Sequence, residues 1–237
     1  VKVASSGDTF QTGQAGNPLA VFDSTAPPSA SNGRVAFLGL DNEAAPTAGG
    51  IFLSALSNPS SLLPLVRIGV TAVGNGISDT FKTIGEALSF DGRSIAFWGS
   101  WGNNTKQVTL NCPTDGNASL TAACRTNDTN GVAGDGIYTF AVPADQGIFV
   151  VDIESGAITM KARTGNGFDD FLFWNFSGAP DDAGSEDADQ EPPRWRSNAF
   201  IAEDDFNTVF KAVNGRGTVG LYGNFGTELD EIGRAHV

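Results

Sequence analysis

Positive charge, histidine and long apolar runs are scarce in this chain of 237 residues, and each shortage excludes a class of function. Its 14 Lys and Arg residues stand against 27 Asp and Glu residues, and the formal net charge of −13 disfavours nucleic acid and anionic membrane surfaces as partners. No run approaches the ~18 apolar residues that a membrane-spanning helix needs. The sequence therefore predicts no nucleic-acid partner and no membrane span.

His236 is the only histidine, and it lies in the last six residues of the chain. These residues, IGRAHV at 232–237, match the translation of a sequencing adapter in one reading frame, so we expect an artefactual tail and a natural protein that continues past Glu231. Without His236, Ser-His-Asp, Cys-His and His-based zinc sites are excluded. The chain begins at Val1 without a signal-peptide pattern, and we expect any signal peptide to have been removed or to lie outside this fragment.

Apolar residues and turn formers are abundant. Hydrophobic residues make up 40% of the chain, which includes 17 Phe, 30 Gly and 11 Pro. This composition supplies a sizeable core and argues against intrinsic disorder. At a nominal ~150 residues per domain, the length fits one large all-β domain or two small ones.

Three segments of the chain resemble one another. In each, a short apolar strand ends at a glycine, namely Gly7, Gly69 or Gly165. About thirty residues later comes an Ala-Phe pair and then a Gly-aromatic motif: Ala36-Phe37 with GGIF (49–52), Ala96-Phe97 with DGIY (135–138), and Ala199-Phe200 with GLY (220–222). The glycines are 62 and 96 residues apart. An insertion at about 102–134, which holds both cysteines, explains the longer second step.

Within each repeat the sequence predicts short strands. Runs such as RVAFLGL and GIFLSAL are rich in branched and aromatic residues, and no window shows helical periodicity. Asp91-Gly92 predicts a tight type I′ turn, and residues 147–163 predict a hairpin that turns at 154–156. We expect an all-β fold: a single domain over 1–231, with a propeller-like array of about three four-stranded blades at 1–64, 65–159 and 160–231. A β-sandwich is the alternative.

Two families resemble the chain at these residues. NGRVAF with the following GGIF is similar to the extracellular choice-of-anchor tandem repeat, and LSFDGRSIAF with IFVVDIESGAIT resembles TolB-like propeller repeats. The third repeat departs from the motif at Trp195-Arg196-Ser197, where the turn glycine should be. The resemblance implies a propeller that is mostly secreted or surface-attached, and it implies no fixed activity.

The two cysteines predict the compartment. Cys112 and Cys124 are 12 residues apart in a loop with little core of its own, and a disulfide would close that loop. Two free cysteines in a cytosolic loop are the alternative, and a zinc site would need more ligands. Sequons for N-glycosylation stand at Asn103, Asn117, Asn127 and Asn175, the first three in the same insertion. Together these features favour an extracellular or cell-surface glycoprotein.

Acidic residues raise two further hypotheses. Asp187, Asp189 and Glu191 could hold Ca²⁺, as could Asp128, Asn130 and Asp135 more weakly, although a solvated acidic loop is the simpler interpretation. Glu86, Asp91 and Asp152 could in principle act in glycoside hydrolysis, but each also has a structural role as a strand-end or turn residue. We expect no cofactor, with calcium as the one exception to test.

The tryptophans are Trp98, Trp101, Trp174 and Trp195. They could form a sugar-stacking platform, but we expect them to pack between blades, with Trp101 the most exposed. The predicted function is non-catalytic recognition, adhesion or extracellular structure, with a protein or glycan partner at the cell surface and with self-association. The alternatives are a glycosylated subunit of a head-to-tail filament and a carboxylate-dependent glycosidase.

Overall fold

The computed structural model describes residues 1–43, 45–112, 118–126, 134–164, 174–177, 194–197, 201–213, 219–225 and 228–234. Within these ranges the chain forms strands and one short helix, so the prediction of an all-β fold is confirmed. The elements are β1 (Thr9–Gln14), β2 (Asn17–Val21), β3 (Ser24–Thr25), β4 (Ser29–Ser31), β5 (Arg34–Leu40), β6 (Gly49–Ala55), β7 (Asn58–Arg67), β8 (Ala72–Gly74), β9 (Ile77–Phe90), β10 (Ser94–Asn111), α1 (Ala118–Thr126), β11 (Ile137–Asp152), β12 (Ile158–Arg163), β13 (Trp174–Ser177), β14 (Arg194–Ser197), β15 (Ile201–Asp204), β16 (Asn207–Val213), β17 (Val219–Phe225) and β18 (Glu228–Arg234).

The strands form three antiparallel sheets in which neighbours follow one another along the chain. The first sheet has the order β3-β5-β6-β7, and β4 also pairs with β5. The second sheet has the order β8-β9-β10-β11-β12, and the third has the order β15-β16-β17-β18. The strand pairs β1-β2, called the N-terminal hairpin, and β13-β14 stand apart. Consecutive meanders of four or five strands are the arrangement of propeller blades.

Strand register places the repeat motifs differently from the sequence alignment in two sheets. In the first sheet Phe37 lies opposite Phe52, so Ala36-Phe37 and GGIF (49–52) stand on paired strands. In the second sheet the partner of Phe97 is Phe149, so the equivalent motif is GIF at 147–149 and not DGIY at 135–138. In the third sheet the matching pair is Phe210 with Tyr222, so the GLY motif at 220–222 is in place. Ala199-Phe200 lies outside the described residues, and Val209-Phe210 takes the position assigned to it.

Three phenylalanines pack in the same way in the first and second sheets. The first triad is Phe22, Phe37 and Phe52, with ring centroids 5.3 to 6.0 Å apart. The second triad is Phe81, Phe97 and Phe149, with centroids 4.9 to 5.6 Å apart. In both, the cross-strand pair is stacked, at 24° and 23°, and the third ring meets it edge-on. The repeat is therefore a repeat of packing geometry.

Glycine makes room for the edge-on ring of each triad. A Cβ added at Gly99 would lie 2.8 Å from the ring of Phe81, and one at Gly39 would lie closer still to Phe22. Real Cβ atoms do not approach other heavy atoms this closely, so the Ala-Phe-x-Gly pattern of both strands is a packing requirement.

The sheets stack face against face. Ala36, Leu38 and Leu40 of the first sheet share one buried cluster with the second triad. The first triad lies on the opposite face of its sheet, where Phe10 of the N-terminal hairpin stacks on Phe22 at 4.3 Å. Trp98 and Ile148, on the far side of the second sheet, are also buried. Strands β9 and β10 of this sheet contact β15 of the third sheet. The central strands are therefore covered on both faces.

The turn at Asp91 differs from the predicted type. Only Gly92 has positive φ, at 107°, whereas a type I′ turn needs two such residues. Instead, the Asp91 carboxylate accepts the N–H groups of Arg93 and Ser94 at 2.6 and 2.7 Å. Two successive residues of positive φ, as a type I′ turn needs, occur in the turns at Asn32-Gly33, Asn75-Gly76 and Asp205-Phe206.

We predict that Phe149→Ala destabilises the protein by about 3–5 kcal/mol, because Phe149 is fully buried and contacts both other rings of its triad. Urea unfolding followed by tryptophan fluorescence measures this change. Leu63→Ala is the matched control, because Leu63 lies on the edge strand β7 and is 52% exposed. Equal losses in the two variants would contradict the packing role of the triad.

Candidate functional site

A long β-hairpin projects from the second sheet. β9 pairs with β10 only as far as Trp101, and β12 pairs with β11 only from Gly147 onward. Beyond these points, within the part of the chain that the structure describes, β10 and β11 pair only with each other, from Thr105 opposite Pro143 to Asn111 opposite Ile137. We call this two-stranded extension, residues 105–111 and 137–143, the arm. The predicted insertion at 102–134 is thus not a plain loop, because strand β10 runs into it and helix α1 follows.

A disulfide closes the tip of the arm. Cys112 and Cys124 are bonded, with their Cα atoms 5.8 Å apart, which confirms the predicted pair. Both are buried with Tyr138, whose hydroxyl donates to the carbonyl of Cys124 at 2.6 Å. Two isolated strands are only marginally stable in water. The disulfide and the packing of α1 on Tyr138 therefore stabilise an extension that has no neighbouring strands among the described residues.

The two faces of the arm differ in polarity. One face is buried and carries Val108, Leu110, Tyr138 and Val142. The other face is exposed and mostly polar, with Gln107, Thr109, Asn111, Thr139 and Ala141. Thr109 and Thr139 lie opposite each other with their hydroxyls 3.3 Å apart. We call this the polar face of the arm; it offers hydroxyl and amide groups without any charge.

One sequon lies at the base of the arm. Asn103 is exposed in a register shift of β10 between Trp101 and Thr105, and Lys82 Nζ donates to its Oδ1 at 2.9 Å. Asn117 and Asn127 lie outside the described residues. Asn175 lies in β13, opposite Arg196, and only its backbone is described. Asn103 is therefore the sequon whose accessibility the structure resolves.

Two of the candidate catalytic carboxylates are turn residues. Asp152 accepts the N–H groups of Glu154 and Ser155 at 2.9 and 2.8 Å. These bonds, that of Ser155 above all, hold its pKa below the usual value of 3.8. At Asp91 burial acts in the opposite direction, but the N–H groups of Ser94, Arg93 and Asp205 lower the pKa. A general acid in glycoside hydrolysis needs a raised pKa, so neither geometry suits that role.

The third candidate, Glu86, lies in the interior of β9 rather than at a strand end. With Glu43 it lines a small cavity of about 130 Å³ beside β3 and β5, together with Thr25, Leu38 and Leu40. Glu86 and Glu43 therefore share one pocket, and neither Asp91 nor Asp152 lines it.

The calcium candidates fall largely outside the described residues. These are Asp187, Asp189 and Glu191, with Asp128 and Asn130 of the weaker set. Asp135 is described, and its carboxylate accepts the N–H of Ile137 at 2.9 Å. In the parts of the chain that the structure describes, no group of three or more acidic, histidine or cysteine residues could hold a metal ion.

The described tryptophans are core residues. Trp98 is buried and its indole N–H donates to Gln146 at 3.1 Å. Trp101, expected to be the likeliest of the four to be exposed, is buried: it is 6% exposed and meets Phe149 edge-on at 5.8 Å. The side chains of Trp174 and Trp195 are outside the described part of the structure. Trp98 and Trp101 therefore offer no stacking surface to a sugar.

Hairpin turns meet where one sheet joins the next. We call the contact between the first and second sheets the first junction and that between the second and third the second junction. Three bonds form the first junction: Phe90 N–H to Ser29 Oγ at 3.0 Å, Ser31 Oγ to Asp91 O at 2.8 Å, and Arg34 Nη2 to Gly92 O at 2.6 Å. Arg34 also lies over the ring of Phe90.

The second junction uses the same positions. Its bonds are Glu203 N–H to Ser89 Oγ at 2.9 Å, Asp205 N–H to Asp91 Oδ2 at 3.0 Å, and Ser94 Oγ to Glu203 Oε1 at 2.5 Å. Ser29 lies two residues before Ser31, which flanks the turn of its hairpin. Ser89 lies two residues before Asp91, which has the same position in the second sheet. In both junctions this serine hydroxyl accepts a backbone N–H from the following sheet, so the contact between sheets is itself repeated.

Sequence reasoning missed one residue of the second junction. Glu203 occupies the position equivalent to Phe90. It directly precedes Asp204, the last strand residue before the turn. It is only 9% exposed, and its Oε2 is buried without a hydrogen-bond partner among the described residues. Aligning IAEDDFNTVF (201–210) with LSFDGRSIAF (88–97) would have found it. The turn Asp205-Phe206 concealed this alignment because it contains no glycine.

Burial raises the pKa of Glu203 above its usual value, and the negative charge of Asp91 adds to the rise. The bonds from Ser94 and from the N–H of Phe206 oppose it. Burial also lowers the pKa of Lys161 on β12, against the charge of Glu203. Desolvation thus disfavours both charges at this junction.

No protein-family model matches the chain, and no curated protein matches it. Among solved structures, the acylaminoacyl peptidase of Pyrococcus horikoshii aligns with 88% of this chain and with 45% of its own length. The sequence identity is 10% and the TM-score is 0.19, which is too low to support an argument about fold or activity. Among the described residues, no helix has the length and apolarity needed to cross a membrane.

We predict that replacing both cysteines by serine lowers the free energy of unfolding by about 3 kcal/mol, because the disulfide closes a short loop in the unfolded chain. Urea denaturation of the oxidised protein and of the double variant measures the difference. Adding a reducing agent should destabilise the wild-type protein and leave the double variant unchanged. An identical midpoint for wild type and variant would show that the disulfide contributes nothing to the arm.

Proposed function

We propose that this chain is a non-catalytic β-propeller-type repeat protein of the cell exterior, secreted or surface-displayed, which acts in recognition, adhesion or extracellular structure. The arm is the observation that carries the proposal. It projects from a stack of sheets whose central strands are covered on both faces, and a disulfide closes it. Disulfides persist in oxidising compartments such as the cell exterior. A projecting element on a rigid scaffold is a common position for binding residues.

The polar face of the arm favours a protein or glycan partner. Its threonine, glutamine and asparagine side chains donate and accept hydrogen bonds, and they match the hydroxyls of a sugar or the polar rim of a protein surface. The net charge of −13 opposes anionic partners, in keeping with this choice.

We expect the double variant Thr109→Lys, Thr139→Lys to lose binding by at least about tenfold, because it places two long cations at the centre of the polar face. Binding is measured on a glycan microarray and on a panel of immobilised extracellular-matrix proteins. Ser60→Lys is the control, since Ser60 is exposed on β7 of the first sheet, far along the chain from the arm. Equal binding by both variants, or no binding by the wild type to either probe, would contradict the proposal.

Asn103 is the sequon that we propose carries an N-linked glycan. The transfer forms a bond between the Asn103 side-chain nitrogen and the first sugar of a lipid-linked oligosaccharide, and the lipid pyrophosphate leaves. Exposure of Asn103 at a bulge favours access by the transferase. A glycan there would sit at the base of the arm and leave the polar face open.

For chain secreted from a eukaryotic host, we expect Asn103→Gln to remove one glycan, seen as a mass step that peptide-N-glycosidase treatment no longer produces. Asn104→Gln is the control, because it leaves the sequence Asn-x-Thr at 103–105 intact. An unglycosylated Asn103 in the wild-type peptide map would overturn the assignment. That result would leave the proposed binding role of the arm standing.

A further inference from the structure

The two junctions carry different side chains at one buried position, and only the second junction has a titratable group there. Phe90 fills this position in the first junction, where the guanidinium of Arg34 lies over its ring at 5.9 Å. Glu203 fills it in the second junction, where Ser94 stands in place of Arg34. The fold therefore accepts an apolar ring at this position and does not require a carboxyl group.

The hydrogen bonds of Glu203 leave one oxygen unsatisfied. Oε1 accepts from Ser94 Oγ at 2.5 Å and from the N–H of Phe206 at 2.7 Å. Oε2 is buried and has no partner among the described residues. A buried carboxylate oxygen without a donor is costly, whereas a protonated oxygen becomes a donor itself.

Asp91 is the acceptor for such a proton, because the side chains of Glu203 and Asp91 lie within hydrogen-bonding reach of each other. Ser94 Oγ lies between the two acids, 2.5 Å from Glu203 Oε1 and 3.5 Å from Asp91 Oδ2. Three N–H groups hold Asp91 in its charged form: those of Arg93, Ser94 and Asp205. One acid of the pair is thus stabilised as a carboxylate, and the other is left to carry the proton.

Among the described residues, the remaining charges around Glu203 do not provide a full counter-ion for it. Arg93, from the same turn as Asp91, pairs with Asp205 at 3.3 Å and lies over the ring of Phe206 at 4.7 Å. Lys161 on β12 attracts the charge of Glu203, but burial disfavours the lysine charge as well. Burial and the charge of Asp91 raise the pKa of Glu203, and they outweigh the hydrogen bonds from Ser94 and the N–H of Phe206, which lower it.

We propose that Glu203 is protonated when the third sheet is docked, that it donates this proton to the carboxylate of Asp91, and that its loss to water at higher pH loosens the third sheet from the second. The first junction has no titratable group at this position and is unaffected. The pair is a pH-sensitive latch on one junction of the stack.

The direction of the effect follows from linkage. The pKa of Glu203 in the folded state is raised above the ordinary value of 4.5. The stability that the proton contributes is fully present below about pH 4.5 and is lost as the pH rises through the folded-state pKa. The second junction should therefore weaken from acidic toward neutral pH, which is opposite to the behaviour of a salt-bridged carboxylate.

Amide hydrogen exchange between pH 4.5 and 8 tests this, with a chelator present so that no bound cation contributes. The measured quantity is the protection of residues 201–210 divided by that of residues 34–55 in the same sample, which cancels the intrinsic pH dependence of exchange. We expect this ratio to fall severalfold as the pH rises. A ratio that is constant, or that rises with pH, would overturn the proposal.

Glu203→Gln is the decisive variant, because the amide donates to Asp91 at every pH. We expect its ratio to stay at the acidic wild-type value. Glu154→Gln is the matched control: it removes the same charge at an exposed turn, and it should keep the wild-type pH dependence. A pH dependence that survives in Glu203→Gln would assign the effect to other groups.

A direct titration decides the question if Glu203→Gln does not fold. Carbon-13 NMR of the glutamate side-chain carboxyls in the wild-type protein reports the pKa of Glu203. We expect it to lie above the ordinary glutamate value of 4.5. A Glu203 that titrates at or below that value would overturn the proposal. Neither experiment depends on the arm or its partner, so failure here leaves the proposed function untouched.

Discussion

The close approach of sheet faces, made possible by paired phenylalanines and glycines, is the constraint on which the rest of the structure depends. Each triad needs two cross-strand rings on one face and a third ring laid edge-on over a glycine. A side chain at Gly99 would displace Phe81 and open the layer between the first and second sheets. Because interiors pack at crystal-like density, the strand spacing, the register and the stacking are set together.

This packing decides where function can reside. The central strands of the first two sheets are buried on both faces. Asp91 and Asp152, two of the predicted catalytic residues, accept hydrogen bonds from backbone N–H groups of their own turns. The accessible elements are those that extend beyond the stacked sheets. The arm is the largest such element among the described residues, and its disulfide and helix replace the neighbouring strands that it lacks.

The sequence predicted the repeat better than its details. Composition and short apolar runs indicated an all-β fold, and in the first repeat the Ala-Phe and Gly-aromatic motifs lie on paired strands, with Phe37 opposite Phe52. The Gly-aromatic motif of the second repeat was misplaced because the residues of the arm lie between Phe97 and its partner Phe149 in the sequence. The Ala-Phe pair of the third repeat was misplaced because Asp205-Phe206 forms a turn with positive φ and no glycine, a conformation unusual for phenylalanine. Trp101 was misjudged because flanking glycines suggested a surface loop where the strand continues.

The sequence by itself determined the all-β class, the disulfide partners and the approximate modules, since these follow from local composition, from there being two cysteines and from spacing. Only the tertiary structure decided which residues share a site. Glu203 and Asp91 are more than a hundred residues apart, and they meet because two turns from successive sheets dock at the same junction. Burial at that contact, which no local pattern encodes, raises the pKa of Glu203.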